Sequence, residues 1–123
     1  MSVQNPSLTK AALRQFIGTE HWYRHWALRH ILYTDGAKYV AEIAGAYWLL
    51  DEIALTQRFL PAVAAETFQL WKLTVKDDRT ALLVCEDGNG RQLYAQAIDY
   101  TDFPLPEIKL YFINGVILLP SEY

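Results

Sequence analysis

The chain predicts an α+β domain: an antiparallel sheet of five or more strands, with one long helix and one or two short helices packed on one face. Three observations carry that prediction. Residues 37–58 are rich in Ala and Leu and repeat their apolar positions on a helical period. From Phe68 onward the chain breaks instead into short β-branched and aromatic runs divided by turn residues. Asn114-Gly115 stands between two apolar runs, where a type I′ turn needs positive φ at both positions.

The elements follow in order. Pro6 and Ser7 open a short helix capped by Asn5 or Ser7. Leu8, Ala12, Leu13, Phe16 and Ile17 then recur at helical spacing, and Gly18 supplies the stop. His21–Trp26 is too aromatic for a good helix and reads as a strand, with Ile31-Leu32-Tyr33 as its hairpin partner. Asp35 is expected to cap the long helix, the alternative being a hairpin turn at Thr34-Asp35-Gly36. Gly45 is the weak point of that helix, and a break there, with strand before and helix after, is the other arrangement open to it. A further short helical piece spans Pro61–Glu66, with Pro61 in its first turn.

The expected strands after that are Phe68–Val75, Thr80–Cys85, Leu93–Tyr100, Ile108–Ile113 and Val116–Leu119. Asp77-Asp78, Asp87-Gly88-Asn89-Gly90 and Phe103-Pro104-Leu105-Pro106 separate them, and such short connections make an antiparallel meander the economical topology. The consecutive apolar residues Val116–Leu119 are expected to be largely buried, since on an open edge they would invite pairing with other chains.

With 123 residues, 52% hydrophobic and 20% charged, the chain has the material for one packed domain. The net charge of −3 is unevenly spread: residues 1–45 carry five basic and three acidic side chains, residues 46–123 six and eleven. That acidic second part argues against nucleic acid as a partner, because phosphates need a basic face. No basic-then-apolar leader opens the chain and no apolar run reaches membrane-span length, so the expected setting is the cytoplasm, away from membranes. Cys85 is a single cysteine within the apolar run Ala81–Cys85, which excludes an intrachain disulfide and predicts a buried, unreactive thiol.

Several residues invite a chemical reading. His21, His25 and His30 cluster, but on a strand His21 and His25 stand about 13 Å apart, too far to share a metal, and surface or half-buried histidines are expected. His21, Tyr23 and His25 would share one face of that strand, Trp22, Arg24 and Trp26 the other; packing of the Trp face on a helix is expected. Asp87–Gly90 lacks the lysine and helix of a phosphate loop and the remaining ligands of a calcium loop, so it is a turn. Asp51 is the most informative residue. On a helix continuous from Ala37, it falls among Val40, Ala41, Ala44, Tyr47, Trp48 and Leu55, so it should be shielded and paired, with Arg24, Arg58 or a Tyr hydroxyl as partner. The candidate binding residues are therefore Tyr23, Arg24, His25, Tyr47, Trp48 and Asp51; no cofactor or metal is expected.

Four motifs add to this reading: Gly18-Thr19-Glu20-His21-Trp22-Tyr23-Arg24-His25, Tyr33-Thr34-Asp35-Gly36-Ala37-Lys38-Tyr39, Ala46-Tyr47-Trp48-Leu49-Leu50-Asp51 and Leu119-Pro120-Ser121-Glu122-Tyr123. Together they resemble a family of small bacterial proteins of unknown function, stand-alone domains often carried by phages, plasmids or integrated elements. The resemblance implies a bacterial, cytoplasmic protein and transfers no catalytic residue. Two functional classes follow. One is a non-enzymatic accessory protein, monomer or homodimer, that engages another protein through its aromatic surface or a free sheet edge. The other is a small-molecule binder or enzyme with a pocket between the long helix and the sheet. A deep pocket containing Asp51 favours the second; a filled core with an exposed aromatic patch favours the first.

Overall fold

The structure, a computed structural model, describes residues 8–123. Seven strands form one mixed sheet: β1 (Trp22–Arg24), β2 (Leu32–Thr34), β3 (Phe68–Val75), β4 (Ala81–Glu86), β5 (Gln92–Ile98), β6 (Glu107–Ile113) and β7 (Val116–Leu118). Their spatial order is β1-β2-β7-β6-β3-β4-β5. Every pairing is antiparallel except β2 with β7, which is parallel. The expected meander therefore holds for β3-β4-β5 and for the β6-β7 hairpin but not between them. Residues 99–106 carry the chain back across the end of the sheet, and β6 pairs with the far side of β3. That return segment is anchored rather than loose. Phe103 is buried in the core, and Arg79 donates to the carbonyls of Thr101 (2.9 Å) and Phe103 (2.7 Å).

The hairpin turn at Asn114-Gly115 is as expected, with φ of 52° and 81°. β7 lies inside the sheet between β2 and β6, and Ile117, Leu118 and Leu119 are buried, in agreement with the apolar run. Alternation in β3 sends Gln69, Trp71, Leu73 and Val75 to the core while Thr74 faces water, so one sheet face is covered and the other is open. Leu49, Leu50, Ile53 and Ala54 meet Trp71, Leu73, Leu83 and Leu110 there.

The single long helix is the main correction. Residues 35–59 form two helices, α2 (Asp35–Ile43) and α3 (Tyr47–Phe59). Gly45 adopts φ +62°, and the N–H groups of Gly45 and Ala46 turn back to the carbonyls of Glu42 (3.4 Å) and Ala41 (2.8 Å). This pair of backward bonds is a Schellman stop, which a glycine in left-handed conformation provides without a Cβ clash. The strand-before-Gly45 alternative fails as well, because α2 is helical from Asp35. Its cap is Thr34, whose Oγ1 accepts from Ala37 N (3.3 Å), and Asp35 is the first helical residue.

The smaller helices are α1 (Lys10–Leu13), one turn capped by Thr9, and α4 (Pro61–Ala64), with Pro61 opening it. Helical spacing overextended α1: Ile17 is 80% exposed, and the turn ends before it. The proposed caps Asn5 and Ser7, with Pro6, lie outside the described residues. Among the described residues no helix is long and apolar enough to cross a membrane.

The Trp face of β1 is the second correction. Trp22 (54% exposed), Arg24 and Trp26 point outward, whereas His25, at 2%, is the buried member of the opposite set. Alternation divides a strand into two faces but does not say which is inner. Here the choice goes to the face whose polar groups find partners inside.

Candidate functional site

The sequence-named residues separate into two hydrogen-bonded clusters and one groove. In the first cluster the backbone N–H groups of Ala27 (3.2 Å) and Leu28 (3.0 Å) both donate to His25 Nδ1. That nitrogen therefore holds a lone pair and the ring proton sits on Nε2, which donates to Asp51 Oδ1 at 2.8 Å. Trp26 Nε1 donates to the same carboxylate oxygen at 3.0 Å. Asp51 thus has the expected shielding only in part, at 33% side-chain exposure, and its partners are His25 and Trp26 rather than Arg24, Arg58 or a tyrosine. The reason is the break at Gly45. It resets the helical phase, so the buried stripe of α3 is Leu49, Leu50, Ile53 and Ala54, with Asp51 on its flank and Leu55 41% exposed.

An Asp–His pair resembles the base of a hydrolase, but this imidazole has no nitrogen to offer a substrate. Nδ1 is saturated by two amides and Nε2 is committed to Asp51. The cluster clamps the segment after β1 onto α3.

The second cluster gathers at the N-terminus of α2. Tyr23 donates its hydroxyl to Asp35 Oδ1 (2.9 Å) and His21 N donates to Oδ2 (3.2 Å). The Tyr23 bond, foremost, holds the Asp35 carboxyl below its usual range, and the same bond raises the Tyr23 phenol. Behind it, Glu122 is buried; its Oε1 accepts from Thr34 Oγ1 (2.6 Å) and Leu119 N (2.9 Å), its Oε2 from Gly36 N (3.1 Å). A carboxylate beside a helix N-terminus complements the exposed amides and the dipole. Tyr33 joins the second cluster to the start of α3, stacking on Tyr23 (5.7 Å) and meeting the edge of Tyr47 (6.4 Å). Burial, foremost, pushes the Tyr47 phenol up to about 12, with Glu42 adding to the effect, and the hydroxyl lies 3.2 Å from Glu42. Arg24 joins none of this; it donates to the Arg29 carbonyl (2.8 Å) at the surface.

The groove lies on the opposite flank of α3, where the helix overhangs β5 and the return segment. Trp48, Glu52, Gln96, Tyr100 and Asp102 are among its lining, and it measures about 620 Å³. Of the six sequence-named residues only Trp48 reaches it. Glu52 Oε1 accepts the Tyr94 hydroxyl at 2.9 Å. Burial first, then that bond, raises the Tyr94 phenol. β5 is an edge of the sheet, and its Gln92–Ile98 stretch contains no proline and no charge. Gln96 Nε2 donates to the carbonyl of Ala97 (2.9 Å), so that carbonyl faces away from β4; by the two-residue alternation of an antiparallel ladder, Ala95 does the same.

Sequence reasoning missed Glu52, Gln96, Tyr100 and Asp102 because they share a site only through strand order. The one available signal was the uncharged run in β5. It also missed Gln69, fully buried, which exchanges amide bonds with Gln57 (2.7 and 2.9 Å) and accepts from Trp71 Nε1 (3.0 Å). Cys85 beside it is buried as expected, and burial, foremost, pushes its thiol up to about 12.

Comparison with known families places residues 7–123 in a family of unknown function, DUF6876, and the chain belongs to it. Neither the curated proteins nor the solved structures provide a match.

Proposed function

We propose that this member of DUF6876 is a non-enzymatic accessory protein that binds an extended segment of another protein by strand addition to β5. One observation carries the reading: a seven-residue edge strand free of proline and charge runs beside a groove of about 620 Å³. Natural sheets usually guard such edges with lysine, proline or bulges, because the unpaired amides and carbonyls are a template for another strand. The irregularity between Cys85 and Glu86 disturbs only the beginning of β5, and Tyr94–Ile98 pairs in regular register. Backbone bonds at Ala95 and Ala97 would supply affinity, and side chains entering the groove would supply selectivity. The resemblance noted above supports a bacterial cytoplasm, and a mobile element, as the setting. The acidic groove supports a protein rather than a nucleic acid.

The small-molecule reading draws on the same groove, which lies between α3 and the sheet. It receives no support from Asp51, which is locked into the other flank.

The test is selection of a displayed library of random ten-residue peptides against the wild-type chain and against Ala97→Pro. Proline at an outward-facing edge position removes a docking amide without breaking a ladder bond, so the variant keeps its melting temperature. Binders that lose at least tenfold in affinity for Ala97→Pro, and that protect β5 amides from hydrogen exchange, support the reading. Binders indifferent to Ala97→Pro overturn it, as does a concentration-dependent dimer abolished by that change, which would make a second copy the occupant.

A further inference from the structure

We infer that the α3–β5 groove receives a basic side chain, arginine above lysine, from the docked strand. This rests on the strand-addition reading for the rest of the partner, but the pocket chemistry can be tested by itself. The lining carries the carboxylates of Glu52 and Asp102, the rings of Trp48 and Tyr100, the Gln96 amide, and no cation. Two cations that hold the ends of this region are already committed. Arg79 is spent on two backbone carbonyls, and Arg91 pairs with Glu66 (3.4 Å) and Asp87 (3.6 Å). Glu52 has one phenol as partner and no ion pair among the described residues.

Two carboxylates and two aromatic rings in one lining match a cation in both respects. Charge attracts it, and the ring faces offer their negative quadrupole. A guanidinium is planar, stacks on rings and is weakly hydrated, which favours arginine in a half-open groove. Gln96 couples the two halves of the site, because its side chain lines the groove while it satisfies the outward carbonyl of Ala97. A strand that pairs with β5 takes over that carbonyl and leaves the Gln96 side chain free to turn its Oε1, the acceptor, to the incoming cation. The same charge speaks against a second copy, which would bring Glu52 and Asp102 towards their own like.

The probe is N-acetyl-arginine methylamide, titrated into the full chain and followed by the Trp48 indole N–H and the amides of residues 94–102 in nuclear magnetic resonance spectra. The matched neutral probe is N-acetyl-citrulline methylamide. The arginine probe should give saturable shifts confined to these signals, and the citrulline probe none. Glu52→Gln, which keeps a partner for Tyr94, and Asp102→Asn should each weaken binding about two- to fivefold, the range of a partly exposed ion pair. Equal responses to the two probes, or binding indifferent to both variants, overturn the inference. The two readings fail separately. Library peptides that depend on Ala97 but show no enrichment in Arg or Lys defeat only the basic subsite. Arginine binding beside peptides indifferent to Ala97→Pro defeats only strand addition.

Discussion

Replacing Glu122 by Ala tests how the terminal motif is held. The carboxylate takes three buried hydrogen bonds, from Thr34 Oγ1, Leu119 N and Gly36 N. The three donors come from three elements that the carboxylate ties together: the end of β2, the first turn of α2 and the segment after β7. The packing around the carboxylate is tight. A Cβ built on Gly36 would already overlap Glu122 Oε1 and lie 2.6 Å from Leu119 Cδ1.

Removing the acceptor strands donors that each cost about 1–3 kcal/mol when buried and unpaired, and partial relaxation brings the expected total to about 3–5 kcal/mol. At about 4 °C per kcal/mol for a domain of this size, the melting temperature should fall by about 12–20 °C. Glu122→Gln should cost about half as much, because its carbonyl retains two bonds while its amide opposes Gly36 N–H. The assay is thermal and urea unfolding of both variants beside Glu107→Ala, an exposed carboxylate expected to stay within about 0.5 kcal/mol of wild type. A loss below about 1 kcal/mol for Glu122→Ala would refute the lock.

Three further outcomes follow from the same geometry. Asp51→Ala leaves the buried His25 Nε2–H unpaired and should cost about 2–3 kcal/mol, whereas Asp51→Asn keeps an acceptor and should cost less than half of that by urea unfolding. Asp35 has its carboxyl held below the usual 3.8, so its contribution is complete above that pH and is lost as pH falls through the lower folded value. The stability gap between wild type and Asp35→Asn should thus be flat above pH 4 and close on further acidification; a gap that widens in acid contradicts it. Cys85, with its thiol pushed up to about 12 and no exposure, should react with a thiol reagent only at the rate of unfolding, and fast labelling of the native protein would show the core to be open there.

The strands were legible because their signals are local. Phe68–Val75 alternates so regularly, and Asn114-Gly115 demands its backbone so specifically, that neither depends on distant residues. Strand order is another matter. β2 beside β7 is a contact across most of the chain and β6 beside β3 skips two intervening strands, and a list of strands contains no record of either. That is why the β5 edge, and with it the groove, stayed out of reach. Gly45 shows a subtler limit. It stood out as a weak point, but the consequence of the break was a reset of phase, which moved Asp51 from the apolar stripe to its flank and exposed Leu55. His25 was misplaced for a different reason. A buried histidine needs both ring nitrogens satisfied, and two of its three partners are the amides of a loop that no pattern specifies.

The four sequence motifs turn out to hold one another. His21 and Tyr23 of the first meet Asp35 of the second; His25 of the first meets Asp51 of the third; Tyr33 of the second meets Tyr47 of the third; Thr34 and Gly36 of the second meet Glu122 of the fourth. Their polar groups are spent on one another, fastening the β1-β2-β7 corner to α2 and α3. Such residues have little left with which to recognise a partner. The groove at β5, by contrast, takes only Trp48 from the motifs, and its other polar groups, Gln96, Asp102 and the free oxygen of Glu52, hold no part of that corner together. On the strand-addition reading, stability and recognition occupy different sides of α3, and substitutions divide accordingly. A change in a motif should lower the melting temperature, while a change at Gln96, Tyr100 or Asp102 should alter binding at constant melting temperature.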